Sequence, residues 1–340
     1  MKVDLYKLLI KNTNIQLNLK REFIDLIKNK VLYKYGSFRR YHRLIRRNIC
    51  YSTLKSLFCV CKFYSVDKII KIMDDFDMNQ KLLLNNIIDF RFHGSHVETK
   101  LPRFLNIDKK FIQGYSLYIA EGDTGLNGKT RPQKLRLTSS DLTIIYFFRD
   151  WIINYFNQDL KDVSYYIYLP LSENINYKKY QKLLNSKNLH IYNDKSVTIP
   201  KYKVCIDRKA IIDIFFSLEN KIKQKVVDNK KLSQYYLKGM YDGEGTAYCK
   251  KYKYIRLEMK NEIEINFLSK LLNNLQINHT LRERNTRKGM YSIYISRKNN
   301  INKFSNSVGF ELTPKRQEVL NKIVNYYEVD FPYHKHVSLS

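Results

Sequence analysis

One order of helices and strands occurs twice in this sequence, and each occurrence opens with a helix that ends in Glu-Gly. In the first, Glu121-Gly122 follows a predicted helix at 109–120, and strands and helices alternate up to a helix that begins at Ala210. In the second, Glu244-Gly245 follows a predicted helix at 233–243, and the same alternation continues to a final helix at 315–326. Such an internal repeat predicts two copies of one structural unit, related by an approximate twofold axis.

The segments between these helices predict an α+β fold, because short runs rich in Tyr, Ile and Val alternate with amphipathic helices. The predicted strands lie at 134–138, 164–170 and 201–206 in the first repeat, and at 246–249, 254–259, around 281 and at 292–296 in the second. Helices are predicted between them at 141–156 and 262–275. The first repeat also holds an insertion, about 172–200, which we expect to be a loop containing a basic helix.

The charge of the chain points to a polyanionic partner. Lys and Arg number 61 against 32 Asp and Glu, and the surplus is spread along the whole chain. A phosphate backbone rewards such distributed cations, because each neutralised phosphate releases counterions. We find no apolar run of about 18 residues and no signal-peptide pattern at 1–10, so neither a membrane nor secretion is expected. The sequence therefore predicts a cytoplasmic or organellar protein that binds nucleic acid and has no small-molecule substrate.

The residues before the two acids predict a close contact between the two Glu-Gly helices. The positions one and five residues before each acid are small, Ala120 and Ser116 in the first helix and Gly243 and Gly239 in the second. Residues four apart lie on one face of a helix, so the backbones could approach each other closely. The glycine after each acid predicts a left-handed helix cap.

Two acids at such helix ends predict a metal site. A carboxylate at a helix C-terminus faces the negative end of the helix dipole, and here it would also face a second carboxylate. A divalent cation removes this conflict, and Mg²⁺ prefers oxygen ligands. Bound metal can generate hydroxide and stabilise the leaving oxygen of a phosphodiester, so Glu121 and Glu244 are the candidate catalytic acids.

The nine residues from Leu237 to Gly245 align without gaps to the LAGLIDADG signature, and Gly114 to Gly122 lies in the corresponding place upstream, with Ser116 at a motif glycine. The chain thus resembles the LAGLIDADG homing endonucleases of the monomeric, two-motif type over about 107–327. The resemblance implies tandem αββαββα units with pseudo-twofold symmetry, whose sheets form a saddle over double-stranded DNA. It also implies two or three Mg²⁺ ions, replaceable by Mn²⁺, bound by Glu121, Glu244 and the last-turn residues Ala120 and Gly243.

The same resemblance implies basic catalytic helpers and DNA-contacting strand residues. Lys260 matches the family position of the helper best and Lys315 is the next candidate, whereas the corresponding place in the first repeat carries Ser139-Ser140. Side chains on the strands would contact base edges and phosphates. The candidates are Arg136, Lys201, Lys203, Arg256, Glu258, Lys260, Arg282, Arg284, Tyr294 and Ser296.

The segment before the repeats, 1–105, is predicted to be a mostly helical and basic domain, followed by the repeats at 106–230 and 231–340. An arginine cluster precedes a predicted second short helix at 51–58, and a basic helix, a turn and a helix resemble a helix-turn-helix unit that binds DNA. A merely solvated basic helix is the alternative. The cluster comprises Arg39, Arg40, Arg43, Arg46 and Arg47.

The function that follows is a site-specific homing endonuclease, which makes a metal-dependent double-strand break in a long, asymmetric DNA target. Because one chain supplies both motifs, we expect a monomer on the DNA. The alternative is a non-catalytic DNA-binding regulator, or an intron RNA maturase, that reuses the fold. An RNA-binding protein without enzymatic activity would not need matched carboxylates, and an intein is disfavoured because the chain opens with Met.

Overall fold

The computed structural model describes residues 1–12, 14–45, 49–92, 97–123, 134–285 and 287–329. Within these residues, β-sheets and α-helices form an α+β fold, as predicted. No described helix is both long and apolar enough to cross a membrane.

The N-terminal segment combines short helices with a small sheet. Its elements are β1 (Lys2–Asp4), α1 (Leu5–Leu9), β2 (Ile15–Leu19), α2 (Arg21–Tyr35), α3 (Phe38–Leu44), α4 (Tyr51–Cys59), β3 (Phe63–Ser65), α5 (Val66–Asp74), α6 (Gln80–Asn85), β4 (Ile87–Phe92), β5 (Glu98–Thr99) and β6 (Phe104–Asn106). Strands β3, β2, β4 and β5 form an antiparallel four-stranded sheet in that order.

The expectation of a mostly helical N-terminal domain missed this sheet. Strand β2 alternates buried Ile15, Leu17 and Leu19 with less buried residues, but it is only five residues long. Its partners β3 and β4 lie more than 40 residues further along the chain, and pairing at that distance leaves no local periodicity to detect. The segment is tied to the first repeat, where Asn12 Nδ2 donates a 2.9 Å hydrogen bond to Asp213.

The first repeat contains a Glu-Gly helix, a mixed sheet and further helices. Its elements are α7 (Lys109–Glu121), β7 (Leu135–Ser139), α8 (Leu142–Phe156), β8 (Val163–Leu169), α9 (Tyr177–Leu184), β9 (Leu189–Asn193), β10 (Lys201–Ile206), α10 (Lys209–Ser217) and α11 (Glu219–Val227). The sheet order is β7-β10-β8-β9, in which only the β8–β9 pairing is parallel. The predicted insertion loop is thus a helix and an added strand.

The second repeat follows the same plan. Its elements are α12 (Lys230–Glu244), β11 (Gly245–Cys249), β12 (Lys253–Met259), α13 (Glu262–Asn274), β13 (Thr280–Arg284), β14 (Arg287–Ile295), α14 (Lys298–Ser307) and α15 (Pro314–Val329). The sheet order is β11-β12-β14-β13, and all its pairings are antiparallel. Helix α14 was not predicted, because its polar sequence buries only Asn300, Ile301 and Phe304. It occupies the place of α10, so α15 is an additional helix.

Strand register shows which positions of the two sheets correspond. Leu137 on β7 is opposite Val204 on β10, as Leu257 on β12 is opposite Ile293 on β14. The glycine after each acid pairs with the leucine at the equivalent strand position, Gly122 with Leu137 and Gly245 with Leu257. The residues that follow in the first repeat, 124–133, lie outside the described residues. Each sheet buries one face against its helices and leaves a polar face.

Candidate active site and nucleic-acid interface

Helices α7 and α12 lie side by side in the core and approach each other at the predicted small residues. A Cβ atom added to Gly239 would lie 2.2 Å from the Gln113 carbonyl oxygen and 2.2 Å from Ser116 Oγ. One added to Gly243 would lie 2.5 Å from Ala120 Cβ and 3.0 Å from Glu121 Cγ. These separations are well below the contact distance of about 3.5–4.0 Å for carbon atoms. The backbones are thus as close as the sequence predicted, with glycine required on the α12 side.

The two helices begin and end in matching ways. Asp108 caps α7 by accepting a hydrogen bond from Phe111 N, and Asn229 caps α12 by accepting one from Leu232 N. Each helix ends on its acid, α7 at Glu121 and α12 at Glu244. The acids are therefore carried to the same end of the interface between the two repeats.

The glycines after the acids are not left-handed caps, so that prediction was wrong. Gly122 has φ −79° and ψ 156°, and Gly245 has φ −78° and ψ 155°, an extended conformation open to any residue. The requirement for glycine is steric instead. A Cβ atom would lie 2.3 Å from the ring of Tyr118 at Gly122 and 2.4 Å from the carbonyl oxygen of Tyr241 at Gly245. After each acid, the backbone passes directly from the helix into an extended conformation.

The protein environment resists ionisation of both acids. Burial raises the pKa of Glu121, against the charges of Arg316 and Lys201, which lower it. Although Glu244 is exposed, desolvation by the surrounding protein together with the nearby charge of Glu121 raises its pKa to about 7. The negative charge of Glu121 thus acts on Glu244 across the interface between the two helices.

Arg316 on α15 is a cation of this site that was not predicted from the sequence. Its Nη1 donates to the carbonyl oxygens of Asp242 and Gly243, both at 2.7 Å, and of Tyr241 at 3.2 Å. These carbonyls belong to the last turn of α12, where a positive charge is favourable. The neighbouring Lys315, predicted from the sequence in its place, is exposed. Adjacent positions on a helix point about 100° apart, and the sequence did not show which one faces α12.

Asp242 is a second functional-site residue that was not predicted. It is fully buried, and its carboxylate accepts hydrogen bonds from Leu312 N at 2.9 Å, Thr313 Oγ1 at 3.4 Å and Gln113 Nε2 at 3.4 Å. Burial raises its pKa to about 6. The residue therefore joins α12 to α7 and to the chain entering α15, which places Arg316 against the helix end. Its position on the apolar face of a predicted helix was the sequence feature that could have identified it.

The basic residues near the acids differ between the repeats. In the first repeat, the charge of Lys201 acts on Glu121. Tyr202 pairs with Ser139, so Lys201 continues the register opposite Ser140, where sequence analysis expected no basic helper. Lys260 follows β12 and is exposed, as is Lys315. Their catalytic roles stay predictions.

Of the predicted metal ligands, the two carboxylates suit a divalent cation better than the Gly243 carbonyl does. Two carboxyl groups with raised pKa values lie at the matching ends of α7 and α12, and a metal ion would relieve the charge repulsion that acts on Glu244. The Gly243 carbonyl oxygen, one of the predicted ligands, already accepts a hydrogen bond from Arg316. Metal binding by the carboxylates of Glu121 and Glu244 stays a prediction. The described residues contain no cluster of three or more His, Cys, Asp and Glu side chains with metal-binding geometry.

The polar face of the second sheet carries more of the predicted DNA-binding residues than the first sheet does. Arg256 on β12 is opposite Tyr294 on β14, and Arg282 on β13 stacks on the Tyr294 ring with its guanidinium 4.5 Å from the ring centroid. Glu258 pairs with Arg284 at 3.1 Å and with Arg256 at 3.5 Å, so it orders two arginines on this face. Ser296 follows β14 at the end of the face and is exposed.

The polar face of the first sheet has the same character. Arg136 on β7 forms a 3.0 Å ion pair with Asp123. Lys203 on β10 donates a 3.2 Å hydrogen bond to the Tyr168 hydroxyl on β8. Lys201 lies at the exposed beginning of β10, two residues before Lys203. Cations alternate here with buried apolar residues, as in the second sheet, and DNA contact by these residues stays a prediction.

The N-terminal arginines lie on the first of two consecutive short helices. Arg39, Arg40 and Arg43 are exposed on α3, and a break separates this helix from α4. Arg46 and Arg47 lie outside the described residues. In a helix-turn-helix unit the second helix enters the groove and the first crosses the backbone, so arginines on α3 favour phosphate contacts over base contacts.

Comparison with known protein families agrees with the resemblance seen in the sequence. Residues 231–309 match the family model of the LAGLIDADG-like domain. This match contains α12 with Glu244, the whole second sheet and α14. None of the curated proteins matches the chain.

Solved structures with a similar arrangement are distant in sequence. The crystal structure of I-DmoI in complex with DNA and Mn matches with 18% identity and a TM-score of 0.38, covering 59% of this chain and 97% of that chain. The N-terminal LAGLIDADG domain of DUF199/WhiA matches with 13% identity and a TM-score of 0.40, covering 64% and 89%. Full-length DUF199/WhiA from Thermatoga maritima matches with 12% identity and a TM-score of 0.41, covering 65% and 62%.

Proposed function

We propose that this LAGLIDADG-family protein is a site-specific DNA endonuclease, which uses divalent cations to hydrolyse one phosphodiester bond in each strand of a duplex. The observation that carries the proposal is the pairing of Glu121 and Glu244 at the ends of two helices whose backbones are in contact. A structural role does not account for this pairing, because each carboxylate faces the negative end of a helix dipole and the charge of the other. A bound cation turns that unfavourable arrangement into a binding site.

The residues of the site have different roles in this proposal. Mg²⁺, or Mn²⁺ in its place, would supply an activated water and charge stabilisation for the leaving oxygen. Glu121 and Glu244 hold the cations, one carboxylate from each repeat. Lys201 and Arg316 add fixed positive charge beside the acids, where a scissile phosphate gains most from it in a partly desolvated site.

Binding of the duplex would rest on the polar faces of the two sheets. Their arginines and lysines offer donors to phosphates and base edges, and the surplus of 61 basic over 32 acidic residues favours a polyanion. Because the two faces differ in sequence, the recognised site would be asymmetric, and one chain would cover it. This accounts for two different repeats on one polypeptide.

The test is cleavage of the locus that encodes the chain, in a version that lacks the coding insertion. We expect double-strand cleavage with Mg²⁺ or Mn²⁺ and none with EDTA. Glu121→Gln and Glu244→Gln should each lower the rate at least about 100-fold, since loss of a metal ligand costs no less than loss of a group that supports one. Glu22→Gln, at an exposed acid on α2, is the matched control and should cleave normally.

The binding arms of the experiment separate the alternatives. Both glutamine variants should still bind the substrate, because they remove no donor to DNA. Wild-type protein that binds duplex DNA without cutting it would favour the regulator instead, and selective binding of the intron RNA would favour a maturase. Normal cleavage by either glutamine variant would remove that acid from the proposed site.

A further inference from the structure

The insertion in the first repeat adds a strand to the edge of its sheet. Strand β9 pairs with β8 in parallel, from Tyr165 opposite Leu189 to Leu169 opposite Asn193. By register, β7, β10 and β8 correspond to β12, β14 and β13. In the second repeat, β13 is the last strand on that side among the described residues. The insertion therefore widens the first sheet only, at the edge farthest from β7.

Strand β9 is held firmly in place. Helix α9 buries Tyr180 and Leu184 beneath the sheet, and the Tyr180 hydroxyl donates a 2.6 Å hydrogen bond to Glu173. At the other end of the insertion, Asn193 Nδ2 donates to the carbonyl oxygens of Pro170 at 3.0 Å and Glu173 at 2.9 Å. The side chains of β9 are thus presented on a fixed backbone, which lowers the entropic cost of contacting a partner.

Two exposed rings of β9 continue the polar face of the first sheet. Ile191 points to the helix side and is 5% exposed, whereas the neighbouring His190 and Tyr192 are exposed, Tyr192 to 47%. His190 stacks on Tyr166 with centroids 4.7 Å apart, and Tyr192 on Tyr168 at 6.0 Å. Exposed rings kept in ordered stacks point to contact with a partner.

The same rows lead back to the catalytic acids. Register places His190 in line with Tyr166 and Lys203, and Tyr192 in line with Tyr168 and Lys201. Lys201, the cation of the Tyr192 row, is also the strand residue whose charge lowers the pKa of Glu121. A surface that carries cations at one end and hydrogen-bonding rings at the other is continuous from the acid to the added strand.

Charge favours a polyanionic occupant. Residues 171–200 contain five lysines and two acids. An added strand widens a sheet by about 4.8 Å, and base pairs are stacked about 3.4 Å apart. The added width therefore corresponds to about one or two base pairs.

We propose that β9 extends the DNA-contacting face of the first repeat, with His190 and Tyr192 as specificity residues, so that this repeat reads a longer half-site than the second. The imidazole can donate or accept a hydrogen bond and the phenol can do both, which suits base edges and phosphates. This inference rests on the proposed function, because it assumes that the polar faces bind duplex DNA.

The test is selection of bound duplexes from a random-sequence DNA pool by the full chain in EDTA, which prevents cleavage. The double variant His190→Ala/Tyr192→Ala is compared with wild type. Tyr177→Ala is the matched control, because Tyr177 is an exposed tyrosine of the same insertion that lies on α9 instead of β9. All three proteins should melt alike, since the substituted side chains are exposed.

We expect the double variant to lose sequence information at about one or two adjoining positions at one end of the motif, and to bind the wild-type motif about tenfold or more weakly. The other half of the motif and the Tyr177→Ala motif should be unchanged. A wild-type motif that the double variant recovers in full would overturn the role of β9 and leave the endonuclease intact. If wild-type protein selects no DNA motif, or enriches RNA from a parallel pool, the proposed function itself fails.

Discussion

Exchanging the small residues where α7 meets α12 tests the close packing that brings the acids together. Gly243→Ala would place a Cβ atom 2.5 Å from Ala120 Cβ, about 1 Å inside normal contact. Such overpacking costs about 1–3 kcal/mol, and the better helix propensity of alanine offsets about 0.5–1 kcal/mol. We expect a net loss of about 1–2 kcal/mol of unfolding free energy, and a Tm lower by several degrees.

The double variant Ala120→Gly/Gly243→Ala moves the methyl group from one helix to the other. It has the same helix propensity as wild type and removes the nearer atom that the new Cβ would meet, leaving Glu121 Cγ at 3.0 Å. We therefore expect most of the lost stability and of the cleavage rate to return. Gly239→Ala should behave differently. Its Cβ atom would lie 2.2 Å from the Gln113 carbonyl oxygen, so adding Ser116→Gly removes one obstacle and leaves the backbone one.

Urea denaturation gives the unfolding free energies of wild type, the two single variants and the double variant. Cleavage assays on the same four proteins show whether moving the helices apart also moves the acids apart. Ala120→Gly is the single-variant control, with an expected loss of about 0.5–1 kcal/mol from helix propensity. The steric reasoning would be refuted if Gly243→Ala had the unfolding free energy of wild type. It would also be refuted if the double variant were no more stable than Gly243→Ala.

The remaining predictions concern charge and stoichiometry. Because the folded protein raises the pKa of Glu244 to about 7, stability without divalent metal should fall as pH rises from about 4.5 towards 7; in EDTA, Glu244→Gln should flatten that slope in thermal melts, and an unchanged slope would contradict the assignment. Arg316→Ala should cost about 1–3 kcal/mol of unfolding free energy by removing the bonds to the end of α12, whereas Lys315→Ala should stay within about 0.5 kcal/mol. Replacing the arginines of α3 with glutamine should weaken binding of the selected duplex and lower the slope of log affinity against log salt by about 1 per lost phosphate contact; an equal slope would show that α3 does not contact the duplex. Sedimentation of the complex should find one chain per duplex, and two would contradict the monomer.

Local patterns made much of the framework predictable. The helical segments before Glu121 and Glu244, the small residues at Ser116, Ala120, Gly239 and Gly243, and the order of the long helices and most strands were all readable from the sequence. Each depends on residues within a few positions of one another, because helix periodicity and strand alternation are short-range signals. The close helix contact followed from them, since side-chain size alone decides how near two helices can come.

Only the tertiary structure decided the features that depend on distant parts of the chain. The N-terminal sheet joins β2 to β3 and β4, and β9 becomes a strand because β8 offers it an edge. The choice of Arg316 over Lys315 depends on how α15 lies against α12, which Asp242 fixes by accepting the hydrogen bond from Leu312 N. The glycines after the acids are required by the ring of Tyr118 and the carbonyl oxygen of Tyr241. These atoms lie only four residues away along the chain, but the extended backbone that brings them close was not predicted. A sequence shows which groups are available, and the packed chain determines which of them meet.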